Sequence, residues 1–430
     1  MKDPVKETVL LTYKEVLESI HDQENHLLLG NGFNRGLGVN TSYPNIFQKM
    51  LEKGHGLYRD VENLVKECDY DLESFIGNLV DDIDSKNTFL KKFVSNKIKL
   101  DFMQATHEIV KSAIKNVYAE ENEGIFVLLK NFNNYFSLNY DPFLYLLLLN
   151  FKSSKSEEGA SIVFQPSLKF IEEDMNERES NIYTEIKHAR KSGTLVISGL
   201  DGDNSTTSSF SLLTKGHFTT EITEYSKRNN KGWKSKDIKR IVDILLEEEK
   251  KNNVLQKVDD GRSRQLSLFG NDAEFVFDTT STTQNLFFLH GAFHIYNDGS
   301  LVKKITQQTN KALYERLEDI LNSEERKIVC VFQSDNKKNA IDESDYLKNC
   351  FNKLKNISGK MVIIGCSMAD NDDHVFEQIN RSDIDTLFIS TFASKKEEMY
   401  KTAMNKFPSK SVFLFDAESI SYELPDKISE

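Results

Sequence analysis

LLLGNGFNRGLG, residues Leu27 to Gly38, ends an aliphatic run in four glycines within nine positions, Gly30, Gly32, Gly36 and Gly38. A buried run that stops at a glycine-rich loop is how an α/β sheet presents backbone at a strand end. Glycine has no Cβ, so the same loop serves either as a sharp turn or as a place where phosphate reaches the main chain. Gly30, Gly32 and Gly36 do not space as G-x-G-x-x-G, and the G-K-[ST] ending of a P-loop is missing, so both readings stand at this point.

Similar short apolar runs recur at His26 to Leu29, Tyr135 to Leu138, Leu286 to Leu289, Ile328 to Phe332, Met361 to Ile364, Thr386 to Ile389 and Val412 to Phe415. Their continuity predicts strands buried on both faces. Helix-period segments lie between the later ones, at Lys311 to Leu321, Tyr346 to Leu354, Val375 to Ile379 and Lys395 to Phe407. This alternation predicts an α/β chain built on a largely parallel, Rossmann-like sheet. Residues about 60–129 repeat Leu, Lys, Asp and Glu at helical spacing and predict a helical region beside it. Residues 151–275 carry KSSKSEEGAS, DGDNSTTSS and DDGRSRQLSLFGNDA, with the single Trp233 in a basic stretch, and read as an insertion. The expected domains are therefore 1–150 and 276–430 as two parts of one sheet domain, with 151–275 between them.

Composition narrows the function classes. The chain has 430 residues and a net charge of −12, which disfavours direct nucleic-acid binding, since that depends on clustered Lys and Arg. Four dispersed cysteines without a C-x-x-C pair suit a reducing cytoplasm better than a disulfide framework or zinc ribbon. The apolar run Phe143 to Leu149 is far shorter than the roughly 20 residues of a membrane helix, so no membrane association is expected.

Four strand ends carry polar chemistry. Besides the glycine loop, FSLNYDP delivers Asn139 and Asp141, which serve either a turn or a ligand at the sheet's carboxyl edge. NLFFLHGAFHIY delivers His290, which is either a structural strand cap or a proton acceptor near neutral pH; His294 reads as structural. MVIIGCSMADNDDHVF delivers Gly365 and Ser367, followed by Asp370, Asp372 and Asp373, which suit a helix N-cap. That acidic run with His374 is the sole support for a metal-dependent nuclease, and the His290 and His294 spacing lacks the helix and third ligand of a zinc site, so no metal is expected. In a parallel sheet all four ends share one edge, which predicts a single crevice.

In this order the G-N-G-F-N loop, the N-Y-D and H-G strand ends and the late G-C-S are similar to the motif series of the sirtuin-like superfamily, over about 26–141 and 285–390. The resemblance implies NAD as substrate, with Gly30, Asn31, Gly32, Phe33 and the adjoining Asn34 at the pyrophosphate and nicotinamide ribose. It implies that Asn139 orients the ribose or the attacking group, that Asp141 holds the carboxamide and that His290 is the general base. Gly365 and Ser367 would meet the adenosine half.

The four-cysteine zinc module of sirtuin deacylases is absent, and residues 151–275 lie between Asn139 and His290. In these respects the chain resembles bacterial sirtuin-like NAD hydrolases of anti-phage defence. That likeness implies an NAD glycohydrolase held in check by a signal or an activating protein partner. One such partner is an inosine-triphosphate-pyrophosphatase-like, nucleotide-sensing subunit, as in a Kongming-type arrangement, and assembly into homo-oligomers is a further implication. The alternatives are a noncatalytic subunit that senses NAD or ADP-ribose, and a scaffold subunit of a defence complex.

Overall fold

The computed structural model describes residues 9–20, 24–54, 57–117, 124–129, 131–153, 176–192, 194–195, 215–256, 259–261, 275–278, 281–305, 313–331 and 337–420. Its strands in chain order are β1 (Leu10–Leu11), β2 (Asn25–Leu29), β3 (Asn134–Ser137), β4 (Phe275–Val276), β5 (Leu286–Phe288), β6 (Gly291–Asp298), β7 (Leu301–Lys304), β8 (Arg326–Cys330), β9 (Ser358–Ile364), β10 (Asp383–Thr391) and β11 (Ser411–Asp416).

Seven strands form one sheet in the order β1-β11-β10-β9-β2-β3-β5, and every neighbouring pair is parallel. All five residues of β2 and all four of β3 are buried, because helices cover both faces and no polar alternation is needed. Leu27 stands between Tyr135 of β3 and Val362 of β9, and the Phe136 and Phe287 rings stack at 5.1 Å one strand further out. His26 fixes the register from within the sheet. Its Nδ1 accepts from Asn134 Nδ2 at 2.9 Å, which leaves Nε2–H to donate to the Ser358 carbonyl at 2.9 Å, so one buried imidazole joins β3, β2 and β9.

The strand order without β1 is that of a doubly wound, Rossmann-like sheet. From β2 the chain steps outward to β3 and β5, then returns to the other side of β2 for β9, β10 and β11. The direction of winding therefore reverses between β2 and β9, where open α/β sheets form their ligand crevice. Helices on this frame use their apolar stripe. Asp373–Arg381 buries Val375, Phe376 and Ile379, and Asp345–Lys355 starts at Ser344, whose hydroxyl accepts the Leu347 N–H.

One expected strand lies elsewhere. The run at Ile328 is β8, and it belongs to a second, four-stranded sheet in the order β4-β7-β6-β8, whose pairs are antiparallel. At Gly291, with φ 73°, the chain turns out of β5 directly into β6, and a Cβ there would stand 1.9 Å from the Val329 carbonyl. Helices Tyr43–Lys53, Leu72–Asp81 and Thr88–Val117 pack a cluster including Phe47, Phe75 and Phe102 against Phe293 and Tyr296 of β6. The expected helical region is thus where the second sheet is covered.

The chain divides into two units, one from residues 1–125, 131–150 and 258–423, the other from 126–130, 151–257 and 424–430. The described part of the second unit is helical, with Glu177–Lys191, Lys215–Arg228 and Ser235–Gln256 burying Ile186, Ile222, Ile241 and Leu245 together. Trp233 packs against that cluster and lies 5.9 Å from the Tyr225 ring, so its apolar body serves the unit's own core. Within its described residues, 151–275 thus includes a packed helical unit. No described helix is long and apolar enough to cross a membrane.

The first unit also buries an ion pair completely. Lys304 Nζ lies 2.5 Å from Asp260 Oδ2 and 3.2 Å from the Tyr145 hydroxyl, with both charged side chains out of solvent. Removing one partner strands the other charge in a medium that cannot solvate it, so Asp260→Ala is expected to cost about 3–5 kcal/mol in urea unfolding. Breaking the exposed Lys348 and Asp345 pair by Lys348→Ala should cost no more than about 0.5 kcal/mol in the same measurement.

Candidate functional site

The glycine loop and the β9 loop meet at the point where the winding reverses. Gly30 N–H donates to the Ile364 carbonyl and Gly32 N–H to the Gly365 carbonyl, each at 2.9 Å. A Cβ on Gly30 would lie 2.5 Å from Gly365 O, one on Gly32 2.5 Å from Gly365 Cα, and one on Gly365, at φ 70°, 2.2 Å from Phe33 N. The three glycines therefore let two loops touch backbone to backbone. The structure gives the Gly30 and Gly32 amides to carbonyls of the neighbouring loop, whereas the resemblance places them at a pyrophosphate.

Behind the loop lies a network of amides and one carboxylate. Asn34 Nδ2 donates to Asp141 Oδ2 at 2.9 Å and to Thr41 Oγ1 at 3.1 Å, while its Oδ1 accepts from Asn139 Nδ2 at 3.2 Å. Thr41 in turn donates to Asn31 Oδ1 at 2.7 Å. Asp141 also accepts the Phe143 N–H at 2.9 Å through its other oxygen, and burial pushes its carboxyl up to about 6 against those hydrogen bonds. With both oxygens engaged inside the protein, Asp141 acts on Asn34 and, through it, on Asn139. Phe33 is fully buried with its ring 6.2 Å from Phe143, and it belongs to the core under the loop.

Asn139 is half-buried beside the next strand end, because Leu138 O receives His290 Nδ1 at 3.1 Å. A carbonyl only accepts, so Nδ1 carries the proton. Burial holds the His290 imidazolium down to about 3, the ring is neutral, and its Nε2 is a lone pair. That Nε2 lies 3.0 Å from Nε2 of His374 and 3.6 Å from Asp372 Oδ1. Asp372 binds Lys337 Nζ at 2.9 Å; burial opposes its ionisation, but the Lys337 ammonium holds its carboxyl below the ordinary range.

The strand ends beside the winding reversal therefore bring together Asn34, Asn139, Asp141 and His290 with the Gly30, Gly32 and Gly365 loops, while Asn31 joins through Thr41. Ser367 is exposed on the β9 loop. The acidic run does not cap its helix through side chains. Asp372 occupies the N-cap position without such a bond and pairs with Lys337, and Asp370 and Asp373 both bind Lys406. Among the described residues no cluster of three or more His, Cys, Asp or Glu is placed to hold a metal ion.

Sequence reasoning missed Lys337 and Thr41, and it assigned His374 only to the acidic run. Five residues from Asp370 to His374 include three carboxylates and an imidazole, but their partners come from distant segments.

A family model described as a domain of unknown function, DUF4917, matches residues 256–422. The match takes in His290, Lys337, Gly365, Asp372 and His374 and lies outside the glycine loop and Asn139. No curated protein matches the chain.

Two measurements probe this construction. Gly365→Ala must displace main chain at a left-handed residue and is expected to cost about 2–4 kcal/mol in denaturant unfolding. Gly77→Ala, within a helix and with open space at its Cβ, should be neutral or stabilise by up to about 1 kcal/mol.

The buried imidazoles also set an acid limit. His290 and His294 are held down to about 3 and His374 to about 4, so their unfolded forms, near 6.5, bind protons that the folded protein refuses. Stability from these groups is full above pH 6.5 and is lost as pH falls toward 3, while Asp141, raised to about 6, contributes with the opposite sign between pH 3.8 and 6. His294 lies between Tyr145 and Phe288, and among the described residues neither ring nitrogen has a hydrogen-bond partner. His294→Phe should therefore flatten the fall of urea-unfolding stability between pH 6 and 4 by up to about 1.4 kcal/mol per pH unit.

Proposed function

We propose that this chain is an NAD glycohydrolase that releases nicotinamide and ADP-ribose, working as an NAD-depleting effector of anti-phage defence under control of a signal or partner subunit. The observation that supports this best is the convergence of Asn139 and a neutral, lone-pair-bearing His290 on the strand ends beside the winding reversal. The crevice position suits a dinucleotide, and the motif order agrees with the sirtuin-like resemblance.

The residues have distinct tasks in such a reaction. Breaking the C1′–N bond returns the bond pair to the pyridinium ring, so nicotinamide leaves neutral and needs no proton. Positive charge develops on the ribose, and water then bonds to C1′. Asn139 keeps its Oδ1 acceptor to orient that water or a ribose hydroxyl, because Asn34 holds its Nδ2. His290 Nε2 takes the proton that the attacking water loses, and Leu138 O steadies the imidazolium through Nδ1. Asp141 contributes by locking Asn34, which is a positioning role.

A noncatalytic sensor of NAD or ADP-ribose is the second reading, favoured by one observation: the His290 Nε2 already has a neighbour in His374. Measuring NAD in phage-infected cells that carry the gene with its genomic neighbours separates the two. A glycohydrolase depletes NAD, and His290→Ala should lower the rate by about a hundredfold or more, with Asn139→Ala also strongly impaired, while both variants fold. Constant NAD during an active defence response, or full activity in both variants, would overturn the proposal.

A further inference from the structure

With His290 neutral, as its burial keeps it, the Nε2-to-Nε2 contact of 3.0 Å between His290 and His374 has one consistent proton arrangement. Leu138 O requires the proton of neutral His290 on Nδ1, so His290 Nε2 accepts and His374 Nε2 must donate. The atom that would take a proton from water is therefore already hydrogen-bonded. We propose that His374 caps the base, its Nε2–H occupying the His290 lone pair until bound substrate or the attacking water exchanges a hydroxyl for it.

The cap rests on the glycohydrolase reading for its catalytic meaning, but the contact itself stands on geometry. His374 lies in the first turn of Asp373–Arg381, half-buried, with its ring 5.7 Å from Phe351. Two lysines anchor the adjoining loop. Lys337 holds Asp372, and Lys406 holds both Asp370 and Asp373. The cap's position thus depends on a loop tied by ion pairs to two separate helices, Lys337–Glu343 and Lys396–Lys406, while His290 is fixed to the sheet. Displacing that loop frees the base without moving Asn139 or Asn34.

The test is nitrogen NMR on the full chain labelled with 15N-histidine, beside NAD turnover in wild type, His374→Phe and His374→Gln. A scalar coupling across the hydrogen bond between the two Nε2 atoms is expected in wild type, with His290 protonated on Nδ1. In His374→Phe the His290 Nε2 signal should move toward that of a free lone pair, and turnover without the trigger should rise about fivefold, the equivalent of one neutral hydrogen bond. The amide of His374→Gln should restore both toward wild type.

Absence of the coupling, or a proton on His290 Nε2, overturns the cap from the wild-type spectrum alone, even where a variant does not fold. Reduced turnover in folded His374→Phe also overturns it, because His374 would then assist the reaction. If the coupling is present but no protein turns over NAD even with its trigger, the glycohydrolase reading fails, and the exchange step with it, while the imidazole contact stands.

Discussion

Everything near the crevice depends on the backbone contact between Gly30, Gly32 and Gly365. Three residues without side chains let two amides of the β2 loop donate to carbonyls at the end of β9 at 2.9 Å, where the sheet reverses its winding. The contact sets where the short helix Asn31–Gly36 begins, and Asn34 within it orders Asn139 and Asp141. Any side chain at these positions would separate the loops and move the amide network with them. The glycines act as a spacing constraint on the crevice.

The polar groups under that contact are satisfied mainly by one another. Asn34 uses both amide hydrogens and its oxygen, and Asp141 uses both oxygens. A buried network of this kind holds side chains in one arrangement, because any alternative leaves a donor or acceptor unpaired at a cost of about 1–3 kcal/mol. On the other side, His290 is held by the Leu138 carbonyl and faces His374, Asp372 and Lys337. The strand ends therefore carry amides around the buried Asp141 carboxyl on one hand, and titratable groups kept neutral or paired on the other.

Much of this was legible in the residues. Continuous apolar runs such as Leu27 to Leu29 and Met361 to Ile364 located the buried strands, and the polar residues after them marked the strand ends that lie beside the winding reversal. The run at Ile328 was placed in the wrong sheet, because a continuous apolar strand has no mark of direction; the turn at Gly291 decides that it pairs antiparallel with β6. The use of Gly30 and Gly32 was hidden for a related reason. Their partner is Gly365, and a contact across most of the chain leaves no local pattern. The partner of His290 was hidden in the same way, since the acidic run before His374 resembles a helix cap until Lys337 and Lys406 are in place.

The placement of β2 has a consequence for how this protein comes into being. The strand is made well before one of its two neighbours, β9, since the residues from Gly30 to Ile357 are synthesised between them. Until then β2 has an unpaired edge, and pairing so distant in sequence is slow to form. The loop contact, the ordered amides and the His290 surroundings therefore arise together and late. An unfinished chain lacks the crevice, so an activity built there belongs only to a molecule whose synthesis has passed Gly365.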